Sequence, residues 1–344
     1  MSVEKKVRNS KFELLRIIAM LFIIASHFSV EGNWIVNKNN FYYLYFFQPL
    51  GQIGVYCFVM ISGYFLSSRQ YRLKDMIPRI NKLWLKIILV SWTILCICLL
   101  TGISNINITT LVMAVFPVVF QQYWFITAFI VLMILVPILN LVIFTFSRKE
   151  LFRYLIILTV ITVIFPRIPG FNVWPLGNIL SSGIMITIYL VAGYIRKYDI
   201  RPRKFKLIGL MFIFLFAEYA SMYFIGTYVK IKASIYLTYG IFPFIVAICL
   251  FLLAAEWKDF YNKAINWIAS SVLMAYLVTE HTLLREYLWT HILNFRSYQN
   301  NALIIFISGI LVSFLVVILL AIIDKVYDRL VSIILAKVYS IGKS

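Results

Sequence analysis

An arginine and a histidine stand eleven residues apart inside one apolar run, Phe12 to Val30, which reads FELLRIIAMLFIIASHFSV. A run of that length crosses a bilayer as a helix. Ionisable side chains are costly in hydrocarbon, so Arg16 and His27 are candidates for function. Eleven residues make three turns plus about 20°, which puts both on one stripe, about 16 Å apart along the axis. Glu13, Met20 and Ile23 fall on the same stripe, and Glu31 extends it. An imidazole held by a carboxylate takes a proton from a hydroxyl near neutral pH, which makes His27 the candidate general base. A histidine that only hydrogen-bonds between packed helices is the competing reading. Arg16 can fork onto a phosphate or a carboxylate, or simply pair with Glu13 three residues back.

Further residues of the same kind lie downstream. Arg69 and Arg72, then Arg79 and Lys82, are basic pairs at i, i+3 after the second apolar run. Each pair shares a helix face and suits the phosphates of a soluble donor, or equally an anionic lipid surface. Glu280 and His281 end a late apolar run, where they can orient a base or an acceptor, or form a bland pair at the membrane interface. Glu218 reads as a hydrogen-bonding residue of the bundle, and His291 is given no role. The four cysteines all sit in apolar runs and read as small core residues. No metal-ligand spacing, phosphate-cradling glycine loop or HxxxxD pattern is present in the sequence. No metal and no permanently bound cofactor are expected.

The elements that must position these residues are membrane helices. Of 344 residues, 62% are hydrophobic and 13% charged, and the mean hydropathy is +0.92, too little charge to cover a soluble protein of this size. The expected fold is an all-α, polytopic helical bundle of about ten transmembrane helices with both termini cytoplasmic. The spans fall near 12–30, 43–66, 80–101, 123–146, 151–168, 176–195, 206–225, 234–255, 265–284 and 302–323. The stretch 108–120, interrupted by Pro117, reads as interfacial or re-entrant, with an eleventh span as the alternative. With a cytoplasmic N-terminus, 25 lysines and arginines fall inside and six outside, as the positive-inside rule requires. The net charge of +19 is therefore topological and meets lipid head groups, not nucleic acid. The first run lacks a cleavage site and reads as a retained signal anchor. One domain, 1–344, is expected, with a core over about 10–325 and short tails at 1–10 and 326–344.

Several stretches resemble the acyltransferase-3 family of integral membrane acyltransferases. They are RIIAMLFIIASH in the first span, GVYCFVMISGYFL in the second, the basic stretch ending Arg79-Ile-Asn-Lys82, QYWFITAFIVLMILVPILN in the fourth, AGYIRKY after the sixth and AYLVTEH in the ninth. The resemblance implies transfer of an acyl group, usually acetyl, from cytoplasmic acyl-CoA to a carbohydrate hydroxyl. The family's first-helix arginine and histidine map onto Arg16 and His27, and its basic loop pattern maps onto Arg79 and Lys82, with Arg69 and Arg72 as a rival mapping. A late-helix histidine maps near His281. The expectation is an O-acyltransferase of the plasma membrane, with His27, Glu280 and His281 catalytic and Arg16, Arg69, Arg72, Arg79 and Lys82 holding acetyl-CoA or another acyl-CoA. Its acceptor would be a cell-surface or lipid-linked polysaccharide, and homo-oligomerisation is left open. A carrier or flippase for lipid-linked sugars is the alternative from a different class.

Overall fold

The computed structural model describes residues 8–167, 177–230 and 240–341, with side chains over 8–166, 183–230 and 240–332. Positions 168, 176 and 234–239 of the expected fifth, sixth and eighth spans lie outside the described residues. All regular structure among the described residues is helical. In chain order the helices are α1 (Ser10–Glu31), α2 (Phe41–Leu44), α3 (Gln48–Leu66), α4 (Leu73–Thr101), α5 (Ile108–Val115), α6 (Trp124–Thr145) and α7 (Arg148–Thr159). There follow α8 (Gly177–Lys197), α9 (Lys204–Tyr228), α10 (Ile241–Ala255), α11 (Lys263–Ala269), α12 (Val272–Thr279), α13 (Thr282–Tyr287) and α14 (Ala302–Ile341).

Six of these units are long and apolar enough to cross a membrane: α1, Phe41–Leu66, α4, α6, α9 and α14 up to Ser332. A seventh exists if Lys263–Thr279 and Thr282–Ile292, bent by 80°, count as one broken span. Their outward faces carry bare apolar side chains, such as Leu100, Ile138, Phe216 and Leu311. Water would penalise such a surface at every residue, and lipid does not. The chain is a multi-pass membrane protein.

α1 is the inner post of the bundle and packs on α3, α10, α11, α12 and α14. Asn9 caps its start by accepting the Lys11 amide at 3.2 Å. The same end is clamped to the α10–α11 connection by Lys11–Asp259 at 2.8 Å and to α11 by the Ser10 hydroxyl, which donates to Asn266 at 2.9 Å. Glycines let α1 and α3 approach closely. A Cβ on Gly54 would collide with the Ala19 carbonyl, and one on Gly51 would sit 2.5 Å from the Ser26 hydroxyl oxygen. The two helices run antiparallel: Phe12 packs on Tyr64 and Phe65 at one end, and Ser26 donates to the Gln48 carbonyl at the other.

Three sequence expectations change, and one alternative falls. The ninth span, read as continuous over 265–284, is interrupted at Ser270-Ser271 and again at Glu280-His281. No proline or glycine marks either break; the freed backbone groups find partners inside the protein instead. The stretch 108–120 holds only the eight-residue α5, about 12 Å long. That is too short to cross, so there is no eleventh span in it. The last helix does not stop near 323 but continues to Ile341, because DKVYDRLVSIILAKVYSI contains no helix breaker. Cys57, Cys98 and Cys249 are buried as expected, but Cys96 is exposed on α4. A helix buried on one stripe must turn its other residues outward.

Candidate active site

The α1 stripe becomes one wall of a cavity. Ile23, His27 and Glu31, four residues apart and so one turn above another, face a space of about 260 Å³. α3 closes it with Gln48 and Gln52, α6 with Trp124 and α12 with Tyr276, while Glu280 and Arg285 enter from the broken helix. His27 Nε2 lies 3.2 Å from Glu280 Oε1, and both side chains are largely buried. Arg285 bridges the second oxygen of Glu280, at 3.8 Å, and Glu31, at 3.6 Å. The cavity thus holds two carboxylates, one guanidinium and one imidazole.

The other ring nitrogen of His27 also has a partner. Nδ1 is 3.2 Å from the Thr279 hydroxyl oxygen. With that hydroxyl donating its proton to the Ala275 carbonyl at 2.8 Å, it accepts from His27 Nδ1–H. Nε2, beside Glu280, is the nitrogen left to take up a proton.

The break after Thr279 separates two neighbours that the sequence leaves together. Glu280 turns toward His27. His281 turns the other way, fully buried, and caps α13 by accepting the Leu283 amide on Nδ1 at 3.3 Å. Its Nε2 therefore carries the hydrogen and donates to Ser91 at 3.2 Å; Ser91 in turn donates to the Ala114 carbonyl at 2.8 Å. Both ring nitrogens of His281 are occupied structurally, and the residue does not line the His27 cavity. The expected grouping of His27, Glu280 and His281 is met by Glu280 alone.

Below the cavity lies a second, apolar pocket of about 180 Å³ between α1, α3, α4, α6 and α12. Ile23 and Tyr276 line both spaces and form their common wall. Met20, the next stripe residue, faces the pocket, along with Phe58, Leu83 and Phe125. The Tyr276 hydroxyl is buried, beside the backbone of Phe125, and makes no well-formed hydrogen bond among the described residues. The stripe read from the sequence is thus a lining that runs from the polar cavity into the apolar pocket.

Arg16, one turn further down, pairs with Glu13 at 2.7 Å, the simpler of its two readings. The basic segment lies at the same end of the bundle, next to the α3 terminus. Arg69 and Arg79 both stack on Tyr71, at 4.7 and 5.2 Å from the ring centre, and Arg72 and Lys82 are exposed nearby in the chain. Asn140 of α6 anchors the loop by donating to the Leu66 and Arg69 carbonyls at 2.8 and 2.7 Å. Arg196 of α8 joins this end, stacked 4.6 Å from the Tyr64 ring.

Glu218 is buried on α9, away from the His27 cavity, and its Oε1 has no partner among the described residues. His291 stacks on Tyr287 at 5.0 Å, at the edge of a separate cleft. Among the described residues no group of three or more His, Cys, Asp or Glu side chains is placed to hold a metal ion. Sequence reasoning did not select Arg285, Thr279, Tyr276 or Gln48. The spacing of Arg285, five residues beyond Glu280, signals nothing while the helix is taken as straight.

Residues 9–322 match the family model described as an acyltransferase domain, acyltransferase-3. No curated protein and no solved structure matches the chain.

Proposed function

The chain belongs to the acyltransferase-3 family, and from that premise we propose that it moves a short acyl group, acetyl first, from acyl-CoA to a hydroxyl of a cell-surface or lipid-linked polysaccharide. The observation that carries this reading is the His27–Glu280 pair, 3.2 Å apart in a cavity that shares a wall with an apolar pocket.

The chemistry follows from the residues. The acceptor hydroxyl enters the cavity and gives its proton to His27 Nε2 as its oxygen attacks the thioester carbonyl carbon. The imidazolium is held between Thr279 and Glu280, whose negative charge stabilises it. The carbonyl electrons move onto oxygen, and the Tyr276 hydroxyl, which makes no well-formed hydrogen bond among the described residues, donates to that oxyanion. Collapse restores the carbonyl and breaks the carbon–sulfur bond, and the CoA thiolate takes the proton back from His27. The pantetheine arm would thread the apolar pocket, which lies toward the end that carries Arg16, Arg69, Arg72, Arg79 and Lys82. These cations, with Arg196, would hold the CoA phosphates. In this reading the chain crosses the plasma membrane about ten times, with both termini and the basic end in the cytoplasm.

The test is label transfer. Protein in lipid vesicles, given radiolabelled acetyl-CoA and the glycan fraction of its own host, should ester-link the label, and His27→Ala should abolish this without lowering the protein yield. Absence of label on any glycan, together with movement of a lipid-linked sugar across the vesicle, would replace this reading with a carrier.

A further inference from the structure

We infer that the His27 cavity is an acceptor subsite for an uncharged sugar ring, with Gln48 as the residue that orients it. This inference rests on the acyltransferase reading and concerns which sugar bears the reacting hydroxyl. It starts from a polar atom with nothing to bind. Gln48 is 4% exposed, lines the cavity, and its side-chain carbonyl oxygen Oε1 has no hydrogen-bond partner among the described residues. A buried acceptor left unpaired keeps the full cost of its lost hydration, so a ligand that brings a donor to it is favoured.

Much of the rest of the wall also offers acceptors, beside the donors of the Gln52 amide and the Tyr276 hydroxyl. Glu31 and Glu280 are carboxylates, which offer about four lone-pair sites each and no donors. The Ser26 hydroxyl spends its proton on the Gln48 main-chain carbonyl at 3.0 Å, so what it has left is acceptor capacity. Arg285 is the cation in the cavity, and both carboxylates already engage it. With both carboxylates ionised and His27 neutral, the two carboxylates and Arg285 sum to one negative charge. A ligand complementary to this wall carries several O–H or N–H donors and no negative charge of its own. A uronic acid or a phosphorylated sugar would add an anion beside two carboxylates.

Size and shape agree. A cavity of about 150 Å³ takes a benzene ring, so 260 Å³ has room for one six-membered ring with its substituents. Trp124 lines the same space, and an indole ring can pack on the C–H side of such a ring.

The experiment is to locate the ester. Glycans from cells with and without the chain are compared by fragmentation mass spectrometry and NMR, and Gln48→Met is run beside the wild type. The expected result is an acyl ester on a neutral or N-acetylated sugar residue. Gln48→Met should lower acylation by at least tenfold at equal protein level and equal Tm, with the KM for acetyl-CoA in vesicles unchanged. An ester on a uronic acid or phosphorylated residue overturns the inference and leaves the acyltransferase standing. So does a Gln48→Met protein that acylates as the wild type does. If no ester depends on the chain, the acyltransferase reading falls, and this inference falls with it.

Discussion

Replacing Glu280 by glutamine removes one charge and almost no volume, so it isolates what the carboxylate does for His27. At 3.2 Å, a unit positive charge on Nε2 and a unit negative charge on Oε1 attract by about 5 kcal/mol at an effective dielectric of 20. That figure is an upper bound, because Arg285 at 3.8 Å already draws on the same carboxylate. General base catalysis by a positioned side chain contributes typically 10²–10⁴-fold, or about 2.7–5.4 kcal/mol, so the bound covers all but the top of that range. Glu280→Gln should therefore lower kcat for acetyl transfer by about 10²–10⁴-fold while leaving the KM for acetyl-CoA near its wild-type value. The assay is initial-rate transfer in lipid vesicles, with Tm measured on the same preparation to exclude unfolding. A Glu280→Gln protein that works within threefold of the wild type, while His27→Ala is dead, would refute the pairing argument: His27 would then act without its carboxylate.

Four other outcomes are expected. Tyr276→Phe removes one hydroxyl that has no well-formed hydrogen bond among the described residues, so its Tm should barely change while kcat falls by about 10²–10³-fold; equal loss in KM and none in kcat would count against an oxyanion role. His281→Ala loses a helix cap and should lower stability by about 0.5–2 kcal/mol, whereas His281→Asn keeps a capping oxygen and should keep most activity; a folded but inactive His281→Asn would return His281 to the chemistry. Gly54→Ala forces α1 away from α3 and should cost about 1–3 kcal/mol, read as a lower Tm and a faster loss of activity on warming. Hydrogen bonds from Lys11 and then Asn9 hold the Asp259 carboxyl below the usual carboxylate range. A depressed carboxylate stabilises the fold above its unfolded pKa, and that contribution is lost as pH falls through the folded value. Asp259→Asn should therefore flatten the acid limb of the Tm–pH curve below about pH 4 and change little at neutral pH.

Much of the site could be read from residue order. Arg16 and His27 share a stripe because an α-helix repeats every 3.6 residues, and the structure lays Met20, Ile23 and His27 along two adjoining spaces. The glycines of α3 indicated close packing by composition alone, and Gly51 and Gly54 do face α1. Glu280 was a candidate by chemical type. What could not be read is the sense of its neighbour, since His281 has the same type and nearly the same depth.

By itself the sequence determined an all-helical chain, apolar enough for a membrane, with a cation and an imidazole on one face of its first helix. These properties depend on residues within a few turns of each other, where helical geometry is fixed by covalent structure and backbone hydrogen bonding. Only the tertiary structure decided that the ninth apolar stretch breaks at Glu280-His281, sending the carboxylate to His27 and the imidazole of His281 to Ser91. Only it brought Gln48, Tyr276 and Arg285 to the same cavity. Those outcomes rest on which distant groups satisfy a freed amide or a buried charge, and that depends on packing between helices far apart in the chain, not on any local periodicity.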